Sequence, residues 1–192
     1  MTTANSNSKL LDRHSTALVM IDLQAKLLPA IFESARVLRN AKLLLRLAEL
    51  LKLPVVLTTQ NAAGLGPTVP EIQSLTQAIE PIDKTSFGCF GDEAFKRALK
   101  ARAPQANTLL VAGIESHICV TQTVLGALED GYLVHVAEDA VSSRTPENWR
   151  VGLQRMERSG AVMSSTEMMV YELLGRSNTA EFKAMLPFLK EK

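Results

Sequence analysis

Three residues of complementary chemistry, Asp22, Lys84 and Cys119, follow or end apolar runs that predict strands. A thiol becomes a nucleophile when it loses its proton, a carboxylate can accept that proton, and an ammonium stabilises the resulting negative charge. In open α/β sheets, ligands bind at the carboxyl ends of the strands. We therefore expect these side chains to meet there, with Asp22 as the base and Cys119 as the nucleophile.

Each of these residues also has a purely structural interpretation. Asp22 could cap a turn, Lys84 could be a solvated lysine paired with Asp83, and Cys119 could be a small buried hydrophobe. The position of Cys119 favours chemistry, because a buried strand ends at Gly113 and a helix is predicted from 116 to 131. Since a helix amino terminus favours an anion, we expect a lowered pKa for the Cys119 thiol.

The order of predicted elements alternates between strands and helices along the whole chain. Strands are predicted at 16–22, 55–59, 82–84, 108–112, 133–137 and 161–163, and helices at 37–53, 92–101, 116–131, 146–159, 166–174 and 181–190. This alternation predicts a Rossmann-like three-layer α/β/α sandwich with a mostly parallel six-stranded sheet. We expect a flexible segment over residues 1–12 and a single domain over 13–192.

Composition limits the expected partners to a small-molecule substrate. The 21 basic and 20 acidic residues are interspersed and give a net charge of +1, so we expect neither nucleic-acid nor membrane binding. No signal peptide or membrane-spanning run is evident. The two cysteines, Cys89 and Cys119, form no disulfide framework, which predicts a cytoplasmic location.

Three motifs resemble those of the isochorismatase-like cysteine hydrolases. They are Val19-Met-Ile-Asp22-Leu-Gln24, Lys84-Thr-Ser-Phe87 and Gly113-Ile-Glu115-Ser-His-Ile-Cys119-Val120. The resemblance covers about residues 16–175 and implies a Rossmann-like fold with an Asp–Lys–Cys triad. Two further runs, at 59–70 and 139–144, resemble the isochorismatase domain-containing proteins and related bacterial hydrolases of unknown substrate.

The resemblance also implies roles for individual residues. Asp22 would take the proton of Cys119, which would attack a carbonyl carbon and form an acyl-enzyme. The backbone N–H groups of Glu115 and Cys119 would form the oxyanion hole, shaped by a cis peptide bond between Ile114 and Glu115. The expected pocket residues are Gln24, Gln60, Phe87 and Phe90.

The departures from the family pattern bear on cofactors and substrate. Nicotinamidases carry an Asp-x-His…His metal cluster after the second strand, whereas this chain has Thr59-Gln60-Asn61 there. We therefore predict no metal and no cofactor. The leading hypothesis is a metal-independent cysteine hydrolase that cleaves a small-molecule amide or related C–N bond.

Alternatives to this hypothesis stay open from sequence. One is an ether hydrolase of the isochorismatase type, and another is a non-catalytic oligomeric scaffold on the same fold. His117 is an alternative base, and Cys89 is expected to serve packing. A homo-oligomer is predicted, with its interface within 141–174, because Met163, Met168, Met169 and Tyr171 are expected to be exposed.

Overall fold

The computed structural model describes residues 10–190, and its centre is a single six-stranded sheet. The strands are β1 (Thr16–Ile21), β2 (Val55–Gln60), β3 (Ile82–Lys84), β4 (Thr108–Ile114), β5 (Leu133–Ser142) and β6 (Val162–Ser164). Their order is β3-β2-β1-β4-β5-β6, and each neighbouring pair is parallel. The predicted parallel sheet is confirmed.

Helices cover both faces of the sheet and give the predicted three layers. They are α1 (Ser34–Leu51), α2 (Ala62–Leu65), α3 (Pro70–Gln73), α4 (Glu93–Arg102), α5 (Thr121–Glu129), α6 (Pro146–Arg158), α7 (Thr166–Leu174) and α8 (Ala180–Lys190). One core lies between the sheet and α1, α7 and α8, and the other lies between the sheet and α4, α5 and α6. The strands lie between these two cores, which explains why β1 and β4 are buried throughout and read as continuous apolar runs.

The strand order places the candidate residues at one edge. β1 pairs with β2 on one side and with β4 on the other, so the strand order reverses between β1 and β4. Asp22 directly follows β1, Lys84 ends β3, and Cys119 lies in the turn after β4. This reversal point is where doubly wound sheets bind ligands.

Three segments differ from the sequence prediction. The helix expected over 116–131 is a wide π-type turn, Ser116–Val120, followed by α5, because Val120 N–H bonds to Glu115 C=O five residues back. β5 continues to Ser142, and its second half was not predicted because Glu138 and Asp139 interrupt the apolar run. Its register with β4 shifts between Val111 and Gly113. Between the predicted strands at 55–59 and 82–84, the chain forms two short helices, α2 and α3, that were not predicted.

The side chains expected to be exposed at an oligomer interface are only partly exposed in the structure. Met168 is 54% exposed and Tyr171 is 47% exposed, but Met169 is fully buried. The expectation for Met169 is wrong, because its side chain belongs to the core under α7.

The start of the chain is only partly described. Residues 1–9, most of the segment expected to be flexible, lie outside the described residues. Leu11, which does lie within them, is buried in the core, and its N–H donates to Glu172 Oε2 at 3.0 Å. Within 10–190, no helix combines the length and apolar character that a membrane crossing requires.

Gly113→Ala is expected to destabilise the fold by about 3 kcal/mol or more. Gly113 has φ +119°, and a Cβ there would collide with the main chain of Ile21, which would force β4 away from β1 next to the site. Gly131→Ala is the matched control, because Gly131 also has positive φ (+85°) but open space around its Cβ position. Denaturant unfolding of both variants measures the difference, and equal losses of stability would contradict the close approach.

Candidate active site

The Asp22 carboxylate and the Lys84 ammonium form a buried ion pair at the carboxyl edge of the sheet. Lys84 Nζ lies 2.8 Å from Asp22 Oδ2, and both side chains are fully buried. Burial alone would lower the pKa of Lys84, but Asp22, helped by Cys89 and Cys119, raises it. Lys84 is therefore a charged ammonium at neutral pH and is not the solvated lysine of the structural alternative.

The remaining contacts of Lys84 come from neutral oxygen atoms. Its Nζ donates to Gln60 Oε1 at 2.8 Å and to the carbonyls of Phe87 and Ser86 at 3.2 and 3.4 Å. Because these acceptors carry no net charge, Asp22 is the single anion bonded to Lys84 in the described residues. Its positive charge is therefore not fully neutralised by its hydrogen-bond acceptors and can stabilise a nearby thiolate.

Asp22 itself is held from two directions. Its Oδ1 accepts a hydrogen bond from Thr58 Oγ1 at 2.7 Å, while Lys84 occupies Oδ2. Its backbone is left-handed (φ 52°), so the strand ends here and the chain turns away. Asp83, the partner of Lys84 in the structural alternative, lies on the opposite face of the sheet, where it accepts from Thr59 and from the N–H of Ala62.

Cys119 is the third member of this cluster. Its residue is 7% exposed, and both charges of the ion pair act on its thiol. Burial first, and then Asp22, raise the pKa of Cys119 to about 12, whereas Lys84 lowers it. The expectation of a lowered pKa is wrong, because desolvation of the thiol and the neighbouring carboxylate outweigh the ammonium and the helix terminus. The resting form is a neutral thiol whose nearest base is Asp22.

This raised pKa predicts how Cys119 responds to an alkylating reagent. Since the thiolate is the reactive form, we expect iodoacetamide to label Cys119 at pH 7 more slowly than in the unfolded chain. The labelling rate should then rise about tenfold per pH unit through pH 10. Peptide mass mapping measures it, with the fully buried Cys89 (pKa raised to about 11 by burial) as the internal reference. A rate that stops rising below pH 8 would contradict the neutral resting thiol.

Two of the expected pocket residues instead brace the site. Gln24 is fully buried, its Oε1 accepts Gln60 N–H at 2.7 Å, and its Nε2 donates to the carbonyls of Gln60 and Gly66. Gln60 Nε2 donates to Thr85 C=O at 2.9 Å, which fixes its amide so that the oxygen faces Lys84. Gln24 therefore holds the end of β2, and Gln60 holds Lys84.

The two phenylalanines occupy different environments. Phe87 is 56% exposed, and its backbone carbonyl accepts a hydrogen bond from Lys84 Nζ. Phe90 is 8% exposed and packs edge-on against Phe95 and Tyr132, with centroids 5.4 and 5.9 Å apart. The structure thus places Phe90 in the core, because the short turn after Gly88 directs its ring toward α4 and α5.

The turn that precedes Cys119 contains the expected cis peptide bond, Ile114–Glu115. The Glu115 carboxylate accepts from both the backbone N–H and Nε of Arg144, at 3.0 and 3.1 Å. The alternative base, His117, is engaged elsewhere, with its Nδ1 2.9 Å from Ser143 Oγ. Glu115 is therefore anchored to the segment that follows β5. Because the His117 ring contacts Ser143, Asp22 is the better candidate for the base.

At residues 59–61, where nicotinamidases carry a metal cluster, the Gln60 side chain accepts a hydrogen bond from the Lys84 ammonium. Across residues 10–190, no three His, Cys, Asp or Glu side chains are grouped to hold a metal ion.

Two residues of the site, Thr58 and the anchoring residue Arg144, were not predicted from the sequence. A threonine within an apolar strand is the only signal for Thr58, and the strand itself already explains that residue type.

The sequence matches a known protein family over most of its length. The model of the isochorismatase domain matches residues 16–168. The chain belongs to the isochorismatase family. A secreted isochorismatase effector, Isc1, from Phytophthora sojae is 37% identical over 197 residues, which cover 100% of this chain and 93% of that protein. Human isochorismatase domain-containing protein 2 is 37% identical and covers 92% and 84%, respectively.

Solved structures of isochorismatase-like proteins share the fold closely. MAR1 ribonuclease from Caenorhabditis elegans is 30% identical with a TM-score of 0.88, covering 95% of this chain and 93% of that one. YcaC from Pseudomonas aeruginosa, solved with hexane-2,5-diol and covalent acrylamide, is 29% identical (TM-score 0.87; 94% and 92% covered). YcaC from Escherichia coli, an octameric hydrolase of unknown specificity, is 27% identical (TM-score 0.87; 94% and 90% covered). This chain is therefore an isochorismatase-family hydrolase.

Proposed function

We propose that this protein is a metal-independent cysteine hydrolase that cleaves a small-molecule amide or related C–N bond through Asp22, Lys84 and Cys119. The observation that carries the proposal is the fully buried Asp22–Lys84 pair acting on the Cys119 thiol. Burying two charges is costly unless they are paired and hydrogen-bonded, so a pair beside a nucleophile is more typical of a functional site than of a stability device.

The first half-reaction forms an acyl-enzyme. Cys119 Sγ attacks the carbonyl carbon while its proton moves to Asp22, and the oxyanion accepts hydrogen bonds from the N–H groups of Glu115 and Cys119. The C–N bond then breaks, and the proton on Asp22 passes to the departing nitrogen. A thioester on Cys119 and a free amine or ammonia result.

The second half-reaction regenerates the thiol. Asp22 takes a proton from a water molecule, which attacks the thioester carbonyl, and the C–S bond breaks as the proton returns to sulfur. Lys84 stays an ammonium throughout and stabilises whichever of Asp22 and Cys119 is anionic. Gln60 keeps Lys84 in place by accepting a hydrogen bond from its Nζ.

A panel of small substrates tests this function. Purified full-length protein is assayed with primary amides, carbamoyl compounds, esters and a vinyl ether, with release of ammonia, alcohol or enol product measured. We expect turnover of a C–N substrate that persists in EDTA and disappears in Cys119→Ala. Turnover of the vinyl ether alone would favour the isochorismatase-type alternative, and turnover of none of them would favour the scaffold.

We also propose a homo-oligomer that uses the segment 141–174. The support is the octameric relative together with the exposed apolar side chains of Met168 and Tyr171. Sedimentation equilibrium at micromolar concentration is expected to give at least twice the chain mass of 21.0 kDa. A mass equal to that of one chain would contradict the proposal.

The remaining partner and location assignments are proposals as well. We propose a small-molecule ligand without nucleic-acid or membrane partners, supported by the balanced charge of +1. Retention by heparin or by anionic vesicles at physiological salt would contradict it.

The proposed cytoplasmic location is supported by the two unpaired, buried cysteines, although one relative is a secreted effector. Imaging of the tagged chain in its source cell tests the location.

A further inference from the structure

The Thr58 hydroxyl can donate one hydrogen bond, and it donates that hydrogen bond to the carboxylate of Asp22, the candidate base. Thr58 is fully buried in β2, and its Oγ1 lies 2.7 Å from Asp22 Oδ1. The same two residues are joined through the main chain, where Asp22 N–H donates to Thr58 C=O at 3.2 Å. Because both links join residues on neighbouring strands, they fix the carboxylate at the point where β1 ends and its backbone turns left-handed.

The ion pair alone does not define the orientation of the Asp22 carboxylate. Lys84 approaches Oδ2, and its ammonium is a compact point charge that tolerates a range of carboxylate orientations. Thr58 approaches the other oxygen, so the two donors together define the carboxylate plane. A defined plane determines which lone pair is presented to the Cys119 thiol.

We propose that Thr58 is a positioning residue for Asp22 that orients the carboxylate toward Cys119. The inference rests on the proposed function, since it assumes that Asp22 is the base. A reacting group that is misplaced by a small distance or angle loses much of its catalytic effect. Loss of the Thr58 hydroxyl should therefore leave the carboxylate poorly oriented and slow the acylation of Cys119.

The chain supplies a matched control in the adjacent residue. Thr59 Oγ1 also donates to a carboxylate, that of Asp83 at 2.9 Å, but on the opposite face of the sheet. Thr58→Val and Thr59→Val each remove one hydroxyl from β2 without a large change in volume. Thr58→Ser keeps the hydroxyl and removes only a methyl group.

The experiment measures the rate of Cys119 acylation by p-nitrophenyl acetate, with thermal unfolding of every variant. In Thr58→Val, the acylation rate should fall by about 10–100-fold. Thr58→Ser should restore the wild-type rate, and Thr59→Val should not change it. A Thr58→Val rate equal to that of wild type, with or without loss of stability, overturns the positioning role.

Asp22→Asn separates this inference from the proposed function. If acylation falls sharply in Asp22→Asn while Thr58→Val matches wild type, the base assignment stands and the role of Thr58 is wrong. If Asp22→Asn acylates as fast as wild type, Asp22 is not the base, and the proposed function and the inference both fail. A fall in the acylation rate of Thr58→Val that Thr58→Ser reverses, together with loss of acylation in Asp22→Asn, supports both.

Discussion

Replacing Asp22 with asparagine is expected to reduce turnover by about 10²–10⁴-fold, the usual contribution of a positioned general base. The amide keeps the shape of the carboxylate and can still accept from Lys84, but it cannot take the Cys119 proton. That proton is held tightly, because burial and the carboxylate raise the pKa of the thiol to about 12. Steady-state kinetics with the best panel substrate measures the loss in kcat/KM.

Asp83→Asn is the matched control for this substitution. Asp83 is one residue from Lys84, but its carboxylate bonds to Thr59 and to the N–H of Ala62 on the other face of the sheet. We expect this variant to stay within about threefold of wild type, since it removes a charge without touching the site. Asp22→Asn turnover within that same range would remove Asp22 from the mechanism.

Replacing Lys84 with methionine is expected to damage both stability and activity. It leaves the Asp22 carboxylate buried without its cation, which costs about 3–5 kcal/mol of unfolding free energy. Because Lys84 lowers the Cys119 pKa, its loss should also reduce the thiolate population and slow acylation by about 10–1000-fold. Since Asp22 raises the pKa of Lys84, the stabilising pair is present at neutral pH and is lost as pH rises through that raised pKa.

The double variant Asp22→Asn/Lys84→Met separates these two effects. It replaces the ion pair with two neutral side chains of similar size, so most of the lost stability should return. Activity should not return, because neither the base nor the ammonium is present. Denaturant unfolding and acylation kinetics on the same samples measure both quantities. Recovery of activity together with stability would show that the pair serves only the fold.

The sheet could be predicted because its strands are buried between two helical layers and therefore appear as uninterrupted apolar runs. The position of Asp22 directly after β1 and of Lys84 at the end of β3 follows from the same reasoning. Parallel strands end at one edge, so polar residues at those ends must converge there. Sequence and a general rule of topology are sufficient for this part of the site.

The chemistry around Cys119 depended on features with no local signal. The wide turn over 116–120 contains the same residue types as an ordinary helix start, so periodicity could not reveal it. The pKa of Cys119 depends on how deeply the assembled fold buries the thiol and on its distance from Asp22. The Thr58–Asp22 hydrogen bond joins residues 36 positions apart, and a strand threonine gives no hint of its partner.

Trapping the acyl-enzyme tests most directly the claim that Cys119 is the nucleophile. Protein mixed with an activated ester is quenched in acid within the first turnover, digested and mapped by mass spectrometry. We predict an acyl group on the peptide that contains Cys119 and none on the peptide that contains Cys89, which is fully buried. Substrate turnover without an acyl group on Cys119, or with the group on Cys89 instead, would contradict the proposed mechanism.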